Sequence, residues 1–195
     1  MVQIDDAGSG SLVGGTCIGF YCNEKNTFKY EVIPLEYYTP ENCKTKQYQQ
    51  YVVNIFRKLS EDLSITKSVP IEVCQGYIFD KLREYLSENN YTWKSVKIEG
   101  ILQEKIEKTF DEYAISLGLP KNYVSYTKYP FHFHKLLRWV YADYANRKTL
   151  CKTGWKSWQK YKDLPITVSS GNMEQQGYYC LKCGKKIRAK SPIKI

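Results

Sequence analysis

Three acids in this chain stand where an acid is costly to place. Asp6 ends the apolar run Val2-Gln3-Ile4-Asp5-Asp6, and Glu72 interrupts Val69-Pro70-Ile71-Glu72-Val73-Cys74. Asp143 follows Leu136, Trp139 and Val140 at helical spacing, which assigns it to the apolar face of a late helix. Three carboxylates brought together repel one another and raise one another's pKa unless a cation compensates. Magnesium or manganese suits such a site, because hard ions prefer oxygen ligands. Two such ions about 3.5–4 Å apart clamp the attacking and leaving oxygens of an in-line phosphoryl displacement. No side chain stands out as the nucleophile, and a water on the metal could serve. The chemistry that Asp6, Glu72 and Asp143 could share is therefore metal-dependent hydrolysis of a phosphodiester.

The elements that would position these acids are legible as periodicities. Val2 to Asp6 reads as a strand whose alternation puts Val2, Ile4 and Asp6 on one face, followed by a small turn, Ala7-Gly8-Ser9-Gly10-Ser11, and a returning strand through Phe20. Phe28 to Tyr37 reads as a third strand, giving an antiparallel meander. Tyr48, Tyr51, Val52, Ile55, Phe56, Leu59 and Leu63 predict a helix from about Cys43. The run containing Glu72 is a fourth strand, Tyr77 to Leu86 a helix, Trp93 to Ile98 a fifth strand, and Ile101 to Leu117 a long helix stopped by Gly118-Leu119-Pro120. This order predicts an α/β fold, a mixed sheet flanked by helices over residues 1–148. A basic, aromatic extension over 149–195 follows.

The 195 residues carry 29 lysines and arginines against 20 acids, a net charge of +9, together with 18 tyrosines and 4 tryptophans. Positive charge interleaved with stackable rings suits a polyanion with accessible bases. The excess is steepest after Tyr126, where Lys128, Lys135, Arg138, Arg147, Lys148, Lys152, Trp155 and Lys156 form the expected nucleic-acid contact surface. No apolar run approaches the length of a membrane span, which argues against an integral membrane protein. The start of the chain lacks the pattern of an export signal, since Asp5 and Asp6 interrupt it at once, and a cytoplasmic protein is expected. Seven scattered cysteines argue against a disulfide framework.

The order three strands, helix, strand, helix, strand, late helices resembles the ribonuclease H-like nuclease superfamily and, within it, the RuvC-type Holliday-junction resolvases. Asp6-Ala7-Gly8-Ser9 is similar to that group's first-strand acid with its small residue, glycine and serine. Ile71-Glu72 resembles its fourth-strand glutamate, and Asp143-Tyr144-Ala145 its last metal-binding acid. Val96-Lys97 and the helix holding Gln103 resemble its fifth strand and following helix. The resemblance spans about residues 2–147. It implies a ribonuclease H-like fold, Mg2+ or Mn2+ as cofactor, and cleavage of DNA in preference to RNA, with branched DNA as the more specific substrate. The family often carries two acids near the last position, whereas here Asn146 stands one turn after Asp143, as a weaker, neutral ligand. Asp5 either shares the metal with Asp6 or faces away.

Two further motifs carry chemistry. Cys180-x-x-Cys183-Gly184-Lys185 looks like one knuckle of a zinc ribbon, a spacing that lets two thiolates hold one tetrahedral ion. Its missing ligands could come from Cys151 and a histidine or from a second chain, as in a homodimer; alternatively the pair is a free dithiol. His132 and His134, the only histidines, could assist proton transfer or be structural. The rival to the nuclease is a non-catalytic nucleic-acid-binding or assembly protein on the same scaffold. In the nuclease the three acids must converge; in the rival they diverge or find lysine partners.

Overall fold

The computed structural model describes residues 1–126, 132–174 and 178–194. Lys128, one of the expected contact residues, lies outside them. The chain forms β1 (Val2–Ala7), β2 (Thr16–Cys22), β3 (Thr27–Ile33), α1 (Pro40–Lys44), α2 (Gln47–Asp62), β4 (Ile71–Cys74), α3 (Asp80–Glu88), β5 (Trp93–Val96) and α4 (Ile101–Ser116). Then come α5 (Lys121–Tyr126), α6 (His132–Tyr141), α7 (Tyr144–Arg147), α8 (Lys156–Tyr161) and a two-stranded ribbon of β6 (Ser170–Asn172) and β7 (Pro192–Lys194). The main sheet has five strands in the order β3-β2-β1-β4-β5. The first three are antiparallel, while β1, β4 and β5 run parallel. This is an α/β fold with a mixed sheet flanked by helices. None of the helices among the described residues is long and apolar enough to cross a membrane.

Two cores clothe the two faces of the sheet. On one, Val2, Ile4, Ile18 and Phe20 pack against Val52, Val53, Phe56 and Leu59 of α2 and Leu82 and Leu86 of α3. On the other, Cys17 and Tyr21 meet Leu102, Ile106 and Phe110 of α4, with Trp139 and Val140 of α6 and Trp158 of α8. Each large apolar side chain so buried contributes roughly 1.5–3 kcal/mol, so both layers are held by the helical periodicities that the sequence displays. β1 lies between them. Its register with β4 sets Gln3 beside Glu72 and Ile4 beside Val73.

The expected third strand stops at Ile33, and Leu35–Tyr38 is a 3-10 turn, because Pro34 has no N–H to continue the ladder. The helix expected from Cys43 is two helices. Thr39 caps the first, its side chain accepting from the Asn42 N–H, and Lys46 separates them in a left-handed conformation at φ 55°.

The late helix departs most from expectation. α6 ends at Tyr141, and Asp143 sits in the break before α7 at φ −155° and ψ 62°. Leu136, Trp139 and Val140 are buried as the periodicity predicts, but the pattern does not extend to Asp143, whose side chain is 43% exposed. The segment after residue 148 begins against the first two strands. Val13 bridges Cys151, the Lys152 N–H donates to the Leu12 carbonyl at 2.9 Å, and the Gly154 N–H donates to the Tyr38 carbonyl at 2.7 Å.

Candidate functional site

The C-terminal ends of β1 and β4 lie side by side, and the crevice outside the carboxyl ends of parallel strands is where α/β sheets place their ligands. Asp5 and Asp6 stand just before the end of β1 at Ala7, and Cys74 ends β4 next to them. One ligand atom from each lies within 4.8 Å of the others, the one such group of three among the described His, Cys, Asp and Glu side chains. Asp5 is 6% exposed. Burial pushes its carboxyl up to about 6, with Asp6 and Glu107 of α4 adding to the rise, against a hydrogen bond from the Cys74 thiol. Burial likewise raises Asp6, against hydrogen bonds from Ser9 and the charge of Lys152. Burial and the Asp5 hydrogen bond together push the Cys74 thiol up to about 12.

The turn that follows these acids is closed by a residue 144 positions beyond Gly8 and 141 beyond Ser11. Ser11 N–H returns to the Gly8 carbonyl at 3.0 Å, and the fully buried Lys152 ammonium donates to the carbonyls of Gly8 and Ser11. Gly8 adopts φ +87°, and a Cβ there would stand 2.1 Å from the Phe110 ring, so only glycine lets the turn lie flat on α4. Lys152 also lies over the rings of Tyr38, at 4.9 Å, and Trp155, at 5.2 Å. Burial lowers its pKa to about 7, an effect that the neighbouring Asp6 charge opposes. Lys152 is thus an interior prop and not the surface phosphate contact that its place in a basic run suggests.

Beside this turn opens a pocket of about 480 Å3 lined by Tyr38, Tyr48, Tyr77, Trp155, Lys156 and Cys43. Tyr38 and Tyr48 are stacked, with centroids 5.4 Å apart, and Tyr77 meets Tyr48 edge-on. Asp6 faces the same side, its Oδ1 3.3 Å from where a side chain on Gly76 would begin. Lys156 is exposed at the rim.

The other two predicted acids stand apart from this group. Glu72 accepts a hydrogen bond from Gln3 Nε2 at 2.9 Å and pairs with Lys94 Nζ at 3.0 Å. The Gln3 bond and then Lys94 hold its carboxyl below the usual range. Asp143 accepts from Asn146 Nδ2 at 2.9 Å and lies 4.0 Å from Arg147 Nε. The structure therefore brings together Asp5 and Asp6, and gives Glu72 and Asp143 cationic partners of their own. Asn146 stands with Asp143, to which its side-chain amide donates.

Of the expected contact residues, Arg138, Lys148 and Lys156 are exposed, while Lys135 and Trp155 are half-buried. Arg147 is another prop. Its guanidinium lies 4.1 Å over the Trp139 ring, and Nη1 donates to the Trp139 carbonyl at 2.7 Å. The His134 ring packs against Phe133 and Tyr161, and the His132 side chain lies outside the described residues.

Two buried carboxyls within reach of each other suit one hard divalent cation, whose charge would answer theirs. Asp5 and Asp6 would hold it. The Cys74 thiol, protonated and turned to Asp5, orients that carboxyl instead. Sequence reasoning missed Cys74 and the tyrosine pocket and gave Lys152 a surface role, because parallel pairing and a contact between residues 8 and 152 leave no local trace. Comparisons with protein-family models, curated proteins and solved structures find no match to this chain.

Proposed function

We propose that this chain is a divalent-metal-dependent endonuclease of ribonuclease H-like type acting on DNA, with branched DNA as its preferred substrate. The observation that carries this reading is the convergence of Asp5 and Asp6 at the end of the central strand, beside an aromatic pocket with Lys156 at its rim. The element order supports it too, being the one on which the resemblance to that superfamily rests. A cation held by Asp5 and Asp6 would polarise a phosphoryl oxygen and supply an activated water. The chain's own part is to fix the two carboxyls through Cys74, Ser9 and the turn clamped by Lys152, and to take unstacked bases on tyrosine and tryptophan faces. Lys156 at the pocket would pair with a phosphate, so affinity falls with salt.

A second reading, binding without cleavage, is favoured by the Glu72–Lys94 pair and by the place of Asp143, which leave one carboxylate pair where two metals need more. Cleavage of end-labelled four-way-junction, duplex and single-stranded DNA in Mg2+ or Mn2+, with binding titrated in parallel, separates the two. The nuclease reading expects metal-dependent cutting that Asp6→Asn abolishes while binding persists. Binding by both proteins with cutting by neither would leave the scaffold reading standing. Equal cutting by both would remove Asp6 from the chemistry.

A further inference from the structure

The segment from Tyr178 to Ile187 folds its two cysteines into one hydrogen-bonded turn. Ile187 N–H donates to the Tyr178 carbonyl, Cys180 N–H to that of Lys185 and Gly184 N–H to that of Cys180, each at 2.8 Å, folding Cys180 and Cys183 into one tight turn. The backbone N–H groups of Cys183 and Lys182 and the Cys183 thiol point at the Cys180 sulfur. Amides aimed at a sulfur are the outer hydrogen bonds that orient a sulfur ligand.

The turn is also anchored. Gly184, at φ +69°, lies so close to Pro120 that a Cβ would stand 2.4 Å from the proline ring. Asn122 Nδ2 donates to the Gly184 carbonyl at 3.3 Å, and Arg147 reaches the Leu181 carbonyl at 3.4 Å. Cys183 is left exposed on the outer side.

A closed structural zinc site takes four ligands. Among the described residues no further His, Cys, Asp or Glu joins this pair. Cys151, a candidate from the sequence, is buried elsewhere: its thiol donates to the Arg147 carbonyl and burial pushes it up to about 12. Outside the described side chains the sequence offers one ligand type, the His132 imidazole, which would make three and not four.

We propose that Cys180 and Cys183 of two copies of this chain share one Zn2+ in a four-thiolate site, so that the metal is the bridge of a homodimer. Two identical half-sites meet the self-complementarity of a two-fold interface. The centre would carry two negative charges, and each copy brings the exposed Lys182, Lys185 and Lys186 to its edge, where they offset that charge. The inference does not depend on nuclease activity.

The test is zinc content by mass spectrometry with molar mass by light scattering, on the full chain purified with Zn2+ present. One zinc per two chains and a dimer are expected. Cys183→Ser, at an exposed position, should give a zinc-free monomer with unchanged circular dichroism, and chelation should do the same to the wild type. Co2+ substitution should show the intense sulfur-to-cobalt absorption of four thiolates. A monomer holding one zinc per chain, a dimer that survives metal removal, or a chain free of zinc would each overturn the proposal.

Discussion

Two acidic neighbourhoods on adjacent strands differ in who answers their charge. On β4, Glu72 has its charge met at once by Gln3 and by Lys94, a lysine whose side chain is 66% exposed. On β1, Asp5 and Asp6 lie within 4.8 Å of each other and of Cys74, while the nearby cation, Lys152, donates to the carbonyls of Gly8 and Ser11. The result is opposite acidity within one sheet: Glu72 is lowered, Asp5 and Asp6 are raised. Paired acids stabilise a fold. Acids left short of a partner hold capacity for a ligand, and that separates a candidate site from a structural one.

The largest effect should come from the buried cation. Lys152→Ala strands two backbone carbonyls and opens a void beneath Tyr38 and Trp155, which should cost about 3–5 kcal/mol in urea unfolding. Lys94→Ala, on the exposed side of the other pair, should cost no more than about 1 kcal/mol. Equal losses would erase the distinction between a cation that builds the turn and one that merely answers a surface-facing acid.

Next comes the burden of Asp5. Its folded pKa of about 6 lies above the ordinary 3.8, so ionising it costs stability that accumulates as pH rises between those values and is constant above them. Asp5→Asn should therefore stabilise the protein at pH 7 by about 2–3 kcal/mol, with the gain vanishing toward pH 3. On the proposed metal site, Mn2+ should raise the melting temperature of the wild type, and the same variant should lose that rise. Destabilisation at pH 7 in the absence of metal would mean that Asp5 is already neutralised, and the contrast with Glu72 would fail.

The sheet and most helices are legible in the sequence because alternation and helical spacing are local: Val52, Phe56 and Leu59, or Leu102, Ile106 and Phe110, announce their own faces. The site is legible only in part. Asp6 draws notice as an acid ending an apolar strand, but whether Glu72 joins it depends on register and on Lys94, which arrives from another strand. Asp143 misleads because an i+7 spacing assumes an unbroken helix, and α6 ends two residues before it. Arg147 and Lys152 mislead for a related reason. Composition counts their charges as surface, yet long cationic side chains also serve as interior hydrogen-bond donors over aromatic rings.

The smallest effect is the mirror image of the Asp5 prediction. Glu72 is held below its ordinary 4.5, so its partners contribute stability that is complete above that value and disappears as pH falls through the lowered folded one. Glu72→Gln should then destabilise by about 1 kcal/mol at neutral pH, and the deficit should close in acid. It should leave intact any stabilisation that Mn2+ confers at the proposed site, since the amide can still accept from Gln3 and Glu72 lies outside the Asp5, Asp6 and Cys74 group. Two carboxyl-to-amide substitutions of identical chemistry would thus move stability in opposite directions at pH 7. Were Glu72→Gln instead to abolish the metal response, Glu72 would leave Lys94 for the cation when metal binds, and the two neighbourhoods would be halves of one site.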